Sequence, residues 1–560
     1  YVQEEYRLDA QGQKTHRLVR TIDYVVGSGS AARTYLTEEG GRYYELPLTW
    51  YTQVEGGAGR WDFSPGYRES NGRFDRAIPA RCMACHNGNS EPVPFTEGKY
   101  VSIDDGIGCE QCHGPGARHV EERLVDEEAD GDVDPTIVNP AHLSLDRRLA
   151  VCQQCHLNGT VSLLREGRGA YSFRPGEPLA SHVALFNLDA EDAGTIAVIS
   201  HADRMKMSPC FIESAAMDCT TCHDPHEGFR QAGPDYFNQT CIGCHATEPL
   251  QAEVPAALRA EHQAGADCFA CHMPKVEADD APHSSFTDHY IRVVEPEGRV
   301  TGQLVEAERV ELEPYFERDE GAEGEVYEAM AYVVYGRQTG RPDVMREGVA
   351  RLDAVLTDHP EHGEAQYLRG WARLQLGEAA QAIPALEEAV RLGPDVPERL
   401  NALAQAYEQA RRSPAETERL YRRALEIQPA LADVRVNYGR FLQAQGQLDA
   451  AIREYRTALD EDPWLAQAHY NLGTALLQRG GGDEAAEHLA EALRLQPDHV
   501  DALVNLGIYR ATRGETEQAG DLFRRAVAAG PDDPNALANL GTYHLQRGAF
   551  VEAQEALRRA

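Results

Sequence analysis

From about residue 326 to the end, apolar and polar positions alternate with the period of amphipathic helices. In AHYNLGTALLQRGGGDEAAEHLAEALRLQP, Ala468 to Pro497, apolar residues recur at helical spacing on two adjacent segments. The pattern then returns at a set interval. Pro360, Pro394, Pro429, Pro463, Pro497 and Pro531 are 34, 35, 34, 34 and 34 residues apart. Ten residues after each stands a small residue: Gly370, Ala404, Gly439, Gly473, Gly507 and Gly541. The small residue lets two paired helices approach closely, and the proline ends the second of them. One such pair cannot bury its own apolar face, so neighbours must stack into a superhelix with a concave inner surface. Five full units run from 361 to 531, a weaker one precedes them at about 327–360, and an incomplete one starts at 532. The last unit carries no polar capping helix, so either the chain continues or something else covers that end.

This period, with its small residue, an A-x-x-x-[FYL]-x-x-A stretch and the closing proline, resembles the tetratricopeptide repeat. The resemblance implies an all-α solenoid that serves as a binding surface for other proteins. Histidines within it, such as His469 and His488, read as structural.

The first half has another grammar. RLVRTIDYVV and RYYELPLTWY are β-branched and aromatic runs punctuated by glycine, and predict short strands within residues 1–78. Acidic residues fill eight of the fifteen positions from Glu121 to Pro135, an exposed insertion loop. A second acidic stretch, with proline and glycine, at 296–325 reads as the linker between the halves. The whole chain of 560 residues carries a formal charge of −36, which argues against a nucleic-acid backbone or an anionic membrane surface as partner. No apolar run reaches transmembrane length. Nor does a basic-then-apolar secretory segment open the chain at Tyr1, so a mature or trimmed form is expected.

Cysteine usage changes the picture most. Twelve of thirteen cysteines fall in six copies of CxxCH: Cys82, Cys85 and His86; Cys109, Cys112 and His113; Cys152, Cys155 and His156; Cys219, Cys222 and His223; Cys241, Cys244 and His245; Cys268, Cys271 and His272. Chance would yield on the order of 0.01 such motifs at this composition. Zinc sites, redox pairs and disulfides do not require a histidine after every second cysteine. Covalent attachment of haem c does: the two sulfurs form thioethers to one porphyrin edge and the next residue offers its imidazole to the iron. Six haem c groups are therefore expected in residues 79–295; in c-type cytochromes generally such attachment is completed outside the cytoplasm, and that resemblance implies a periplasmic or extracellular compartment. Cys210 is left over and reads as a buried, packed thiol.

Each motif supplies one axial ligand, so six more are needed if every iron is six-coordinate. Nine histidines between residues 1 and 300 lie outside the motifs. His226 sits three residues past His223 across an Asp-Pro turn, and His119 six past His113 across Gly-Pro-Gly. Neither reaches easily around its own porphyrin, but each can ligate a neighbouring haem and hold two irons close. His262, His283 and His289 flank the last motif in the same way, and His201 makes a sixth candidate. His16, His142 and His182 rank lower. Met205 and Met207 are alternative thioether ligands that would raise one potential, though packing suits them better.

The ordered series GIGCEQCHGPGARHV, NPAHLSLDRRLAVCQQCHL, SPCF, CTTCHDPH and CFACHMPK…HSSFTDHYI resembles the multihaem cytochromes related to cytochrome c554 that carry a tetratricopeptide region after the haem domain. The resemblance implies distal ligation by His119, His226, His262 and His289. It also exposes a departure: relatives often carry an additional CxxCH and read G-S-G-N-H-A-R where this chain has GSGSAAR, with Ala31 in the histidine's place.

The expected fold is thus a multihaem cytochrome c domain of loops and short helices with a few N-terminal strands, followed by the all-α solenoid at 326–560. The expected function is extracytoplasmic electron transfer, with the solenoid docking redox partner proteins or other copies of the chain, in the sharper version as a subunit of a polymeric cytochrome filament. A second reading is an oxidoreductase of the hydroxylamine-oxidising or nitrite- or tetrathionate-reducing kind with one open haem site. A third is a repeat scaffold that haems merely stabilise.

Overall fold

A computed structural model describes residues 1–9, 11–27, 32–52, 59–65, 67, 73–125, 134–157, 159–188, 201–214, 216–227, 233–245, 267–277, 285–292, 310–317 and 321–560. Ala31, His262, His283, the inner part of the acidic loop and most of the acidic linker lie outside these residues.

The two aromatic and β-branched runs each form two strands. β1 (Val2–Leu8) pairs antiparallel with β2 (Lys14–Thr21). β3 (Tyr24–Val26), β4 (Ala32–Glu39), β6 (Leu48–Tyr51) and β7 (Arg60–Phe63) follow in that sheet order, with β5 (Arg42–Glu45) paired to β4. Short pairs β8 (Glu91–Pro92) with β9 (Tyr100–Ser102) come next. β10 (Val161–Leu164) and β11 (Val183–Leu188) then form a three-stranded antiparallel sheet with a strand from far along the chain, and β12 (Lys275–Glu277) pairs with β13 (Ser285–Thr287).

That distant strand is β14 (Leu312–Pro314), which lies inside the stretch read as a linker. The first solenoid helix also starts earlier than expected, at Ala322. The stretch is acidic yet structured at its end, because Val310 and Leu312 are buried against Phe186 and the first helix. Two apolar residues decided a segment that composition assigned to a loop.

Seven helical hairpins make the solenoid, from Ala322–Gln338 with Pro342–Val355 to Pro534–Gln546 with Phe550–Arg559. The weak first unit is a complete hairpin, and the last has both helices, the second of ten residues. The packing glycines act as expected: a Cβ on Gly439 would stand 2.6 Å from the Tyr455 ring, and one on Gly473 2.8 Å from Leu489. A different glycine turns the chain inside six of the seven hairpins. Gly340, Gly377, Gly446, Gly480, Gly514 and Gly548 all have positive φ. The third hairpin lacks this glycine and puts Arg411 there, at φ 53°.

The two halves pack together through the edge of the solenoid where one hairpin leads into the next. Leu495 joins Leu18, Leu46 and Phe74 in one buried cluster. Arg20, buried in β2, lies 3.0 Å over the Trp464 ring, whose Nε1 donates to Glu39. Tyr44 donates to the buried Asp462 carboxylate at 3.0 Å, Lys99 to Glu461 at 2.5 Å, Arg73 to the Arg494 carbonyl at 2.7 Å, and Arg7 to Asp498 at 2.7 and 2.5 Å. Gln428 reaches the Pro94 carbonyl at 2.9 Å. Gln428 and Asp462 occupy the same position of successive repeats, just before the proline, so equivalent residues of the edge meet the N-terminal half. At its other end the solenoid packs Val326, Met330 and Tyr332 against Val161, Ala184 and Phe186.

β5 is buried along its whole length and includes a carboxylate, Glu45, whose partner is Arg76 at 3.0 Å. Burial outweighs the arginine and pushes Glu45 up to about 7. Its folded value thus exceeds the unfolded one, so its contribution to stability is full below the unfolded value and is lost as pH rises through 7. Glu45→Gln is expected to flatten the pH dependence of stability between about 4.5 and 7, measured by denaturant titration across that window. Arg411→Gly relieves a left-handed backbone and should raise stability by about 1 kcal/mol in the same assay.

Candidate functional site

The six motifs sit on single helical turns. Five lie in helices: Ala80–His86, Glu110–His113, Leu145–His156, Pro234–His245 and Cys268–His272. The Cys219 motif begins with a 3-10 turn capped by Asp218, which accepts from the Thr220 and Thr221 N–H groups. Positions i, i+3 and i+4 share one face of such a turn, so two sulfurs and the following imidazole point the same way. All thirteen cysteines are unpaired by disulfides.

The residues between the cysteines knit the first three motifs together, a role that the spacing alone did not reveal. Gln111 of CEQCH donates to the Ala84 carbonyl of CMACH at 2.7 Å, and Gln154 of CQQCH donates to the Gln111 carbonyl at 2.8 Å. Gln153 is buried and donates to Tyr315 at 3.0 Å. The Cys85 thiol donates to the Gln154 carbonyl at 3.7 Å, with Cys155 beside Cys85 and Cys152 beside Cys219. At the end of the region the Asn238 side chain accepts from the Cys268 N–H at 2.8 Å.

The candidate histidines separate by geometry. His226 lies near His113, with ring centres 6.1 Å apart and planes 15° from parallel. His289 faces His223 at 6.1 Å and 28°, and His201 faces His156 at 5.7 Å and 35°. His201 and His289 also touch each other at 4.5 Å. Burial and the adjacent His201 take His289 down to about 4, so its ring is neutral at physiological pH. Burial likewise lowers His86, His156 and His223. His245 is exposed at the end of its helix.

Four rings have one nitrogen committed. Nδ1 meets the Val138 carbonyl in His113 at 2.8 Å, the Arg292 carbonyl in His272 at 3.0 Å and the Thr287 carbonyl in His289 at 2.9 Å. In His119 it meets the Asp134 carboxylate at 2.9 Å. Since those oxygens can only accept, Nδ1 carries the proton and Nε2 keeps its lone pair, the arrangement found in metal-bound imidazoles. Asp134 is held well below the usual carboxylate range by Thr136, Arg123 and His119.

The residues ranked lower are otherwise engaged. His182 is buried, with Nε2 2.5 Å from Glu177. His16 contacts Arg525 of the solenoid at 2.9 Å, and His142 is exposed. Met205 is buried, and the Met207 sulfur accepts from Arg204 at 3.7 Å. Cys210 is half-buried rather than buried, because its short helix Pro209–Glu213 lies at the surface.

The donor set fits haem c: paired thiols with an adjacent imidazole, and further imidazoles opposite three of these. Apolar side chains that stand bare beside the motifs fit it too, among them Ile107, Val120, Leu124, Val125 and Ile242. A porphyrin supplies the apolar surface such residues lack.

Comparison with known proteins agrees. The family described as "Cytochrome c554 and c-prime" matches residues 67–114. The tetratricopeptide repeat family matches 345–397, 371–432, 470–534 and 522–560, and a related repeat profile matches 439–480. Multiheme cytochrome MtrA of Shewanella baltica (strain OS185) is 27% identical over 185 residues, 30% of this chain and 52% of that protein. The match thus spans about half the length of that relative. Among solved structures, pilF of Pseudomonas aeruginosa aligns over 35% of this chain and 88% of its own, at 22% identity and a TM-score of 0.33. YrrB, a TPR protein, aligns over 35% and 97%, at 19% identity and a TM-score of 0.28. Among the described residues no helix is long and apolar enough to cross a membrane. The chain joins a multihaem c-type cytochrome region, resembling the cytochrome c554-related family, to an all-helical tetratricopeptide solenoid.

Proposed function

We propose that this chain is an extracytoplasmic electron-transfer protein with six haem c groups, one on each CxxCH, and that its solenoid docks a protein partner or another copy of the chain. When bound, the haem irons supply one-electron exchange.

The observation that carries this reading is the facing of imidazoles. A metal bonded at about 2 Å to a nitrogen on each side separates the two ring centres by roughly 6 Å. His113 with His226 and His223 with His289 meet that spacing, and His156 with His201 is close to it. His223 and His226 lie on one short turn but face different partners, His289 and His113. His226 therefore serves as a second ligand for the group held by Cys109 and Cys112, and the Asp224–Pro225 turn ties that group to its neighbour on Cys219 and Cys222. The nearness of Cys155 to Cys85 and of Cys152 to Cys219, cysteines of different motifs, supports the same close array. His119 and His272, each with Nδ1 committed, present Nε2 in the ligating tautomer. His262 and His283 remain the candidates for the last two motifs on sequence grounds.

The partner surface follows from what the solenoid already spends. Its turn edge is occupied by β1, β2 and β5 of the same chain, so docking falls to the concave face and the last hairpin. A polymeric filament is the sharper form of this reading, and electron micrographs of the purified protein should show fibres rather than single particles.

Two measurements test the core of it. A pyridine haemochromogen assay with intact mass should give six haems per chain, and five for Cys82→Ala with Cys85→Ala. The ferric protein should be low-spin, and His226→Ala should convert about one sixth of the electron paramagnetic resonance signal to high-spin. A wild type already rich in high-spin iron would instead favour an open catalytic site.

A further inference from the structure

The helix that carries His201, His201–Lys206, is six residues long and too short to hold its own direction. The bearing of the His201 ring is therefore set by what grips the helix from outside. One grip is ionic: Arg204 donates to Asp288 at 2.8 and 2.6 Å. The other is the Tyr315 hydroxyl, which accepts from the Lys206 ammonium at 3.2 Å. Burial and the Asp203 carboxylate raise that hydroxyl above its ordinary range, so it keeps its proton and directs it to Asp203.

The same oxygen accepts from the Gln153 amide at 3.0 Å. Gln153 is buried, lies between the two cysteines of CQQCH and precedes His156 by three residues on the helix Leu145–His156, so the two share a face. One hydroxyl thus holds both helices that carry the facing imidazoles His156 and His201, 5.7 Å apart with planes at 35°. Tyr315 is itself anchored from the solenoid side. It directly follows β14, and its N–H donates to the Leu185 carbonyl at 2.9 Å. The Tyr332 hydroxyl of the first solenoid helix holds the strand, accepting from the Leu312 N–H at 3.4 Å and donating to the Val310 carbonyl at 3.3 Å.

We propose that Tyr315 is a positioning residue for the axial pair His156 and His201, its hydroxyl setting the tilt between the two imidazole planes on the haem held by Cys152 and Cys155. The inference rests on the haem attachment and ligation proposed above. Tyr315 acts through Gln153 on one side and through Asp203 and Lys206 on the other. Groups behind the ligands orient them, and that orientation tunes the ferric spectrum and the reduction potential. The group that aligns this pair comes from the stretch leading into the solenoid, 162 residues beyond Gln153.

The test compares the full ferric chain with Tyr315→Phe, Gln153→Met and the double variant by electron paramagnetic resonance, once a pyridine haemochromogen assay has shown equal haem content. Tyr315→Phe keeps the ring and removes the hydroxyl. It is expected to move about one sixth of the low-spin intensity to a new g value and to shift one midpoint potential, with every iron still low-spin. Gln153→Met cuts one arm at nearly constant volume and is expected to move the same signal by less; it carries the test should Tyr315→Phe lose haem. The double variant should match Tyr315→Phe alone, since Gln153 acts through that hydroxyl. Spectra that superimpose on wild type overturn the positioning role, and fully additive shifts overturn the shared hydroxyl. Failure of the underlying reading looks different: His201→Ala then leaves every iron low-spin, or a wild-type peptide spanning Cys152 to Cys155 lacks the mass of a haem.

Discussion

Among the described residues, the middle of this chain buries little apolar surface of its own. Among the described residues from 79 to 292, the buried apolar ones are few and scattered, such as Met83, Tyr100, Leu149 to Val151 and Met205. The large clusters belong to the solenoid and to the strands that flank it. Isoleucine, leucine and valine side chains instead stand bare beside the motifs. Structure here depends on polar links from one motif to the next, on imidazoles that face one another, and on braces at both ends. Stability of this region is then expected to follow occupancy of the motifs, as it does wherever a bound group supplies the core.

The braces come from the solenoid. Its turn edge meets the N-terminal strands through Leu495, Trp464, Asp462 and Asp498, and its first hairpin meets β10, β11 and β14. A repeat solenoid offers equivalent groups at equal intervals, which suits it to a strand module of several edges. The same contacts reach toward the first motif. β5, which carries Tyr44 against Asp462, also takes the Ile78 N–H on the Tyr43 carbonyl, and Cys82 lies four residues further on. Solenoid and first motif are therefore mechanically continuous.

Electrostatics adds a second constraint. The chain carries far more acid than base, yet its buried carboxylates are few and mostly paired. Asp288, fully buried, is held low by Arg204 and Arg292 after burial has pushed the other way, and it fixes the loop that delivers His289. Asp134 acts directly, accepting from the His119 ring. A carboxylate behind an imidazole fixes that ring's tautomer and orientation.

Much was legible in the residues themselves. Local chemistry sets the CxxCH turns, because two sulfurs and an imidazole at i, i+3 and i+4 share a face whatever surrounds them. Repetition sets the solenoid, because a 34-residue period with Gly473 and its equivalents permits one way of packing. Long-range placement was a different matter. That His226 faces His113, that Gln111 and Gln154 join three motifs, and that Leu312 belongs to a sheet with Phe186 all rest on residues distant in sequence. The solenoid's edge rather than its groove meets the strands for the same reason: spacing along a chain records local geometry, while which surfaces meet depends on burial summed over the whole molecule.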